Sequence, residues 1–345
     1  MTDHRVPAAH GVPALSAAKR LVWRALNGLP GDAATVDATL ARDFAPDCVW
    51  HVGHPVEEAI GSGIEAALWT PLRHAFPDLE RRCDIFIGGL WAIDGTDTLW
   101  IATTGHYLGR FDRPLYGIEP TGGVATLRFG EFYRVDPVAE CIVECRVLLD
   151  FVDLMRQTGR PVLPPAFGVD GIAPAPRLHD GLLLDGVDPA LGAESLARVE
   201  DMIFGGLRRF DGRDLGSMGM ERFWRSDMLW CGPGGIGTTR TIAGFQQHHQ
   251  APFLHAFPDR VGGNHRARFG DGGFVASTGW PSVTATHAGD YLGVPATGLP
   301  ITMRVMDWWS CRDGLLAENW IFIDLPHLML QMGVDLFARM RTRSR

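Results

Sequence analysis

His74-Ala75-Phe76-Pro77-Asp78 recurs letter for letter as His255-Ala256-Phe257-Pro258-Asp259, 181 residues further along a chain of 345 (255 − 74). Around the pair, Trp50 answers to Trp230, Gly63 to Gly244 and Pro71 to Pro252. Downstream, Gly105-His106-Tyr107-Leu108-Gly109 aligns with Gly289-Asp290-Tyr291-Leu292-Gly293, and Thr121-Gly122 with Thr297-Gly298. That alignment gives the first copy an extra loop around Arg110–Pro120 and sets Thr103 against His287. Asp150, Leu154, Met155, Gln157 and Gly159 then match Asp324, Leu328, Met329, Gln331 and Gly333. Order is kept throughout, and so long a period is a duplicated domain, not a solenoid unit. Length agrees, since roughly 100–200 residues per domain makes about two domains.

Between the copies, Arg160–Gly192 carries Pro161, Pro164, Pro165, Pro174, Pro176 and Pro189 and reads as an extended linker. The expected division is therefore residues 1–160, a linker over 161–192, and 193–345. Each copy opens with apolar residues at helical spacing, over Ala14–Leu26 and Glu194–Phe210. A second helix is expected near Ala33–Phe44 and Asp214–Trp224, and a third over Gly63–Phe76 and Gly244–Phe257, each of these ending before proline. β-rich runs follow: Val275–Ser277, Val283–Tyr291, Ile301–Ser310 and Glu318–Asp324. Helices first and an antiparallel sheet afterwards predict an α+β fold.

Composition narrows the chemistry. A net charge of −8 argues against a nucleic-acid surface, which needs clustered cations. No apolar run approaches the ~20 residues of a membrane span, and Met1–Leu15 lacks the apolar stretch of a signal peptide, so a cytoplasmic protein is expected. The six cysteines form no CxxC pair. Lys19 is the one lysine, at an exposed-looking helix position, which weighs against Schiff-base chemistry. Gly232-Pro233-Gly234-Gly235-Ile236-Gly237 fits GxGxxG on paper. It has proline in the turn and no helix directly after it, so it reads as a loop. Adjacent His248 and His249 diverge by about 100° on a helix, and no carboxylate lies at ligand spacing, so no metal is expected.

Ala285–Gly298, read as A-THAGDYLGVPATG, resembles the "THxGxxxGxPATG" hairpin of SnoaL-like polyketide cyclases. Ala256–Asp259, Arg312–Gly314, Glu318–Trp320 and Gln331–Gly333 stand in the order that family shows. The resemblance covers nearly all of the second copy and most of the first more weakly. It implies two NTF2-like cones in tandem, each a curved antiparallel sheet closed by helices around a small-molecule pocket. It further implies an Asp acting beside a His without cofactor or metal, and an internal pseudo-dimer packed sheet to sheet, with further homo-oligomerisation possible.

Strand alternation nominates the acid. Ile301, Met303, Val305, Asp307 and Trp309 share one face, a single carboxyl among apolar neighbours. The first copy keeps the pattern as Leu127, Phe129, Glu131 and Tyr133. His287 is the expected partner of Asp307, with strand register left open. Asp290, exchanged for His106 in the first copy, is a third catalytic candidate. Trp230, His255, Trp309, Trp320 and Met303 are candidates to line the ligand site. Trp308 and Trp309 are adjacent and must face opposite sides. The sequence thus predicts acid/base catalysis on a small hydrophobic or polyketide-like carbonyl compound, an aldol-type cyclase or isomerase. A non-catalytic small-molecule binder and a hydrolase or dehydratase in the same pocket are the alternatives.

Overall fold

The computed structural model describes residues 11–93, 96–185 and 188–342. Two helices open the first half, α1 (Gly11–Gly28) and α2 (Ala33–Asp43), the latter capped by the Asp32 carboxylate on Thr35 N at 2.8 Å. Strands β1 (Phe44–Val52) and β2 (Glu58–Ile60) follow, then a π-helical turn running into α3 (Thr70–Ala75), which stops ahead of Pro77. β3 (Glu80–Ile93), β4 (Thr96–Arg110), β5 (Val124–Asp136) and β6 (Cys141–Leu149) complete a sheet of order β2-β1-β6-β5-β4-β3. Pairing is antiparallel except between β1 and β6. Helix α4 (Phe151–Gln157) closes the half.

The second half repeats this plan. α5 (Pro189–Gly205) begins with proline at its first turn, inside the stretch that the sequence assigned to linker. Where a second helix was expected there are two 3₁₀ turns, Leu215–Met218 and Met220–Arg222, interrupted by Gly219 at φ 55°. Then come β7 (Trp224–Cys231), β8 (Thr238–Arg240), α6 (Thr241–Phe245), a π-helical turn, α7 (Ala251–Ala256), β9 (Val261–Gly262) and β10 (His265–Asp271). β11 (Phe274–Thr286), β12 (Pro300–Arg312), β13 (Leu315–Ile323), α8 (Leu325–Gln331) and α9 (Leu336–Thr342) end the chain. The order β10-β11-β12-β13-β7-β8 is the order of the first sheet, with β9 added on β11. Both halves are α+β, as expected.

Register corrects the alignment of the copies. Thr103 lies opposite Glu131, and Ser277 opposite Asp307, so the acids correspond at an offset of 176 residues (307 − 131). The same offset carries Leu115–Ile118 onto Tyr291–Val294, each closed by an isolated bridge with left-handed φ at its two central residues. Thr121-Gly122 reaches Thr297-Gly298 at 176 as well, so the first copy has no extra loop. Phe111, not Thr103, is the counterpart of His287. Both take a bond from their N–H to the carbonyl of residue 123 or 299 and accept one from residue 122 or 298. The Tyr-Leu-Gly letters at 107–109 fall within the longer strand β4, where they form no turn.

The outer faces of the two sheets meet in a shared core. Phe132 packs against Trp308 at 5.1 Å and Phe269 at 6.2 Å, and Ile85, Trp100, Trp320 and Phe322 join them. Polar contacts cross reciprocally: Asp150 accepts from Gly234 N at 2.9 Å, and Asp324 accepts from His54 N at 3.0 Å. Lys19 is buried, correcting its expected exposure, because α1 lays it on the first sheet and its ammonium meets Asp271 at 2.6 Å. The Pro-rich segment covers an edge of each sheet, Val169 bridging Thr238 and Leu182 bridging Phe86.

Candidate active site

The face of the second sheet that packs under α5 is where alternation places Asp307. Ile301, Met303, Val305 and Trp309 point the same way into the main core, while Met306 and Trp308 point into the shared core between sheets. Asn319, opposite Trp309 on β13, donates to Asp307 Oδ1 at 3.2 Å and to Trp308 O at 2.9 Å. Asp307 keeps partial exposure in the middle of a central strand. Burial among apolar side chains pushes its carboxyl up to about 7, against the opposing pull of the Asn319 bond and the Arg268 charge.

Three polar residues beside it carry no obvious sequence signal. Arg268, Ser277 and Asp307 stand opposite one another across β10, β11 and β12. Arg268 Nη2 meets His265 Nε2 at 2.7 Å, its Nε donates to Ser277 Oγ at 3.3 Å, and His265 Nδ1 lies 3.3 Å from that same hydroxyl. Guanidinium cannot accept, so His265 Nε2 is the acceptor and its proton sits on Nδ1. Burial and the Arg268 charge hold this imidazole down at about 4. In a regular strand, residues three apart face opposite sides. A bulge between His265 and Ala267 turns the histidine onto the face of Arg268, which alternation alone does not reveal.

His287 does not join Asp307. Thr286 pairs with Pro300, seven residues from Asp307 along β12, or roughly 20 Å at the strand rise. His287 is instead buried against Phe257 at 5.8 Å with Nδ1 on Thr297 Oγ1 at 3.0 Å. Burial lowers its pKa. Asp290 is exposed at the hairpin, where it accepts from Ala296 N at 3.1 Å. Trp320 faces the shared core, its Nε1 donating to Pro174 O at 2.7 Å, and so does not line the cone. Register separates His287 from Asp307, and facing removes Trp320 from the cone.

A cavity of about 290 Å³ opens elsewhere in the second half, between the Pro164–Phe167 segment, α7 and the Tyr291–Gly293 turn. His248, His249, His255 and Asp290 line it; Asp307 does not. Trp230 links the two places, since it pairs with Asn319 across β13 and β7 and stacks on His249 at 4.1 Å. Burial drives the His249 imidazole down to about 3, and its Nδ1 is shut from solvent with no hydrogen-bond partner among the described residues.

In the first half the corresponding acid is closed off from solvent. Glu131 is 0% exposed and takes four bonds: Arg81 at 2.7 and 2.9 Å, Tyr107 Oη at 2.8 Å and Tyr133 Oη at 2.7 Å. Arg81 also lies over the Phe129 ring at 4.5 Å. A carboxylate saturated in this way is a structural ion pair. His106 alternates with Tyr107 onto the outer face, where its Nδ1 meets Asp84 at 3.2 Å, so it is not part of this interior. Glu131 and Tyr133 are together; His106 is not with them.

Residues 211–332 match the SnoaL-like polyketide cyclase family. The matched segment contains Asp307, Arg268 and His265. Among solved structures, IdmH from Streptomyces antibioticus is 26% identical, with 39% of this chain and 98% of that chain covered at a TM-score of 0.32. AclR from Streptomyces galilaeus is 23% identical over 41% and 96%, with a TM-score of 0.32. An NTF2-like protein from Burkholderia xenovorans LB400 is 17% identical over 43% and 99%, with a TM-score of 0.33. Comparison with curated proteins gives no match. Among the described residues, no helix is long and apolar enough to cross a membrane.

Proposed function

We propose that the SnoaL-like half is a cofactor-independent acid/base enzyme for a small hydrophobic or polyketide-like carbonyl compound, with Asp307 moving the proton. One observation carries this reading: an inward carboxyl in an apolar cone, held by Asn319 and poised near neutrality. Asp307 removes a proton from the carbon next to the carbonyl, and aldol-type ring closure or reprotonation elsewhere completes cyclisation or isomerisation. The first half, whose acid is neutralised by Arg81, serves as the packing partner.

Ligands found by screening the intact chain provide the assay. Asp307→Asn is expected to lower turnover at least a hundredfold, within the usual range for general acid–base catalysis of about 10²–10⁴. Ligand affinity should change little. Turnover equal to the parent would remove Asp307 from the mechanism.

A further inference from the structure

Enolate formation puts negative charge on oxygen, and the cone holds a cation that the Asp307 reading does not itself use. Arg268 is 2% exposed and its hydrogen-bond partners among the described residues, His265 and Ser277, are both neutral. Its ion-pair contact, Glu200 on α5, stands at 3.8 Å, beyond hydrogen-bond length. The contrast with the first cone is direct, because there Arg81 is bidentate to Glu131 at 2.7 and 2.9 Å. Arg268 also shares a face with Asp307, one strand removed through Ser277.

We propose that Arg268, held by His265 and Ser277, is the oxyanion-binding residue of the second cone and selects ligands with an enolate or phenolate oxygen. The inference rests on Asp307 as base. When Asp307 takes the proton, the C–H electron pair becomes the enolate double bond and the carbonyl oxygen gains the charge. That oxygen lies against the guanidinium until Asp307 returns the proton. A charge-assisted bond in a partly dehydrated site is worth enough to decide affinity between an anion and its neutral isostere.

The test is absorbance titration of the intact chain with 4-nitrophenolate, using 4-nitroanisole as the uncharged control. Wild type is expected to bind the phenolate more tightly than the anisole. Arg268→Met should weaken phenolate binding about tenfold or more, the scale of one charged hydrogen bond, and leave anisole binding unchanged. Asp307→Asn should bind phenolate at least as tightly as wild type, since it removes a like charge. Undiminished phenolate binding by Arg268→Met, or no preference for phenolate in wild type, overturns the inference. If Arg268→Met does not fold, His265→Phe decides. Removing the acceptor that positions the guanidinium should weaken phenolate binding several-fold, and no change rejects the proposal. Failure of the Asp307 reading is seen separately, as retained turnover in Asp307→Asn.

Discussion

Asp307 carries a consequence for stability as well as for chemistry. Its folded pKa, about 7, lies above the ordinary carboxyl value of 3.8, so the folded state holds the proton more tightly than the unfolded chain. The stabilisation is complete below pH 4 and is lost as pH rises through 7. Asp150 and Asp324, pushed up to about 6 by burial, act in the same direction, so the comparison must be made against Asp307→Asn. That variant should gain on wild type between pH 4 and pH 8 by on the order of a few kcal/mol, read from denaturant midpoints. Activity has the opposite slope: turnover by an ionised base rises with pH, with its midpoint near 7. Alternation along β12 made this residue legible from sequence, because five successive inward positions hold one acid among apolar side chains. Its neighbours were hidden. His265 and Arg268 reach one face only through a bulge, and a bulge is a pairing fact that no single strand's letters contain.

At the scale of elements, the hairpin after β11 shows how a motif misleads when its letters are taken for its function. His287 packs on Phe257 at 5.8 Å, and the first copy performs the same packing with Phe111 stacked on Phe76 at 4.9 Å. His287→Phe should therefore fold to within about 1 kcal/mol of the parent, as shape-conserving core changes do, and retain turnover. Measured loss of activity with stability intact would return His287 to the site. The closing helices repeat a second device. Gln331 spans the start of β12, accepting from Thr302 N at 2.8 Å and donating to Thr302 O at 2.9 Å, while Gln157 does the same for Thr126. Both glutamines were visible as matched letters, but their partners were not, since these lie 29 and 31 residues back along the chain. Gln331→Ala leaves the Thr302 N–H and C=O without these partners and should cost about 1–3 kcal/mol, read from thermal or urea unfolding.

For the whole molecule, the duplication was legible because paired motifs kept their order, and an outward face on the second sheet was implied by Trp308 and Trp309 having to point apart. The polar links across the shared core were not legible, and Lys19 shows why. Lone on the first amphipathic helix, it resembles a solvated position until the second half supplies Asp271 from β10. The pair is buried on both sides, at 2% and 5% exposure, and Asp271 also accepts from Gly88 N at 2.9 Å on β3. Burying two charges offsets much of their attraction, so the pair itself adds little over apolar packing. Removing one partner is different, because it strands a carboxylate between two sheets. Lys19→Met should accordingly destabilise the chain by about 3–5 kcal/mol at neutral pH. Lys19→Met with Asp271→Asn should recover a large part of that loss, since the neutral amide can stay near Gly88 N without a stranded charge. If the double variant is no more stable than Lys19→Met alone, charge isolation is not the cause and lost lysine packing is. The outcome bears on the active cone too, for Asp271 ends the strand that carries Arg268. A loosened β10 should therefore weaken phenolate binding by Lys19→Met and be restored in the double variant.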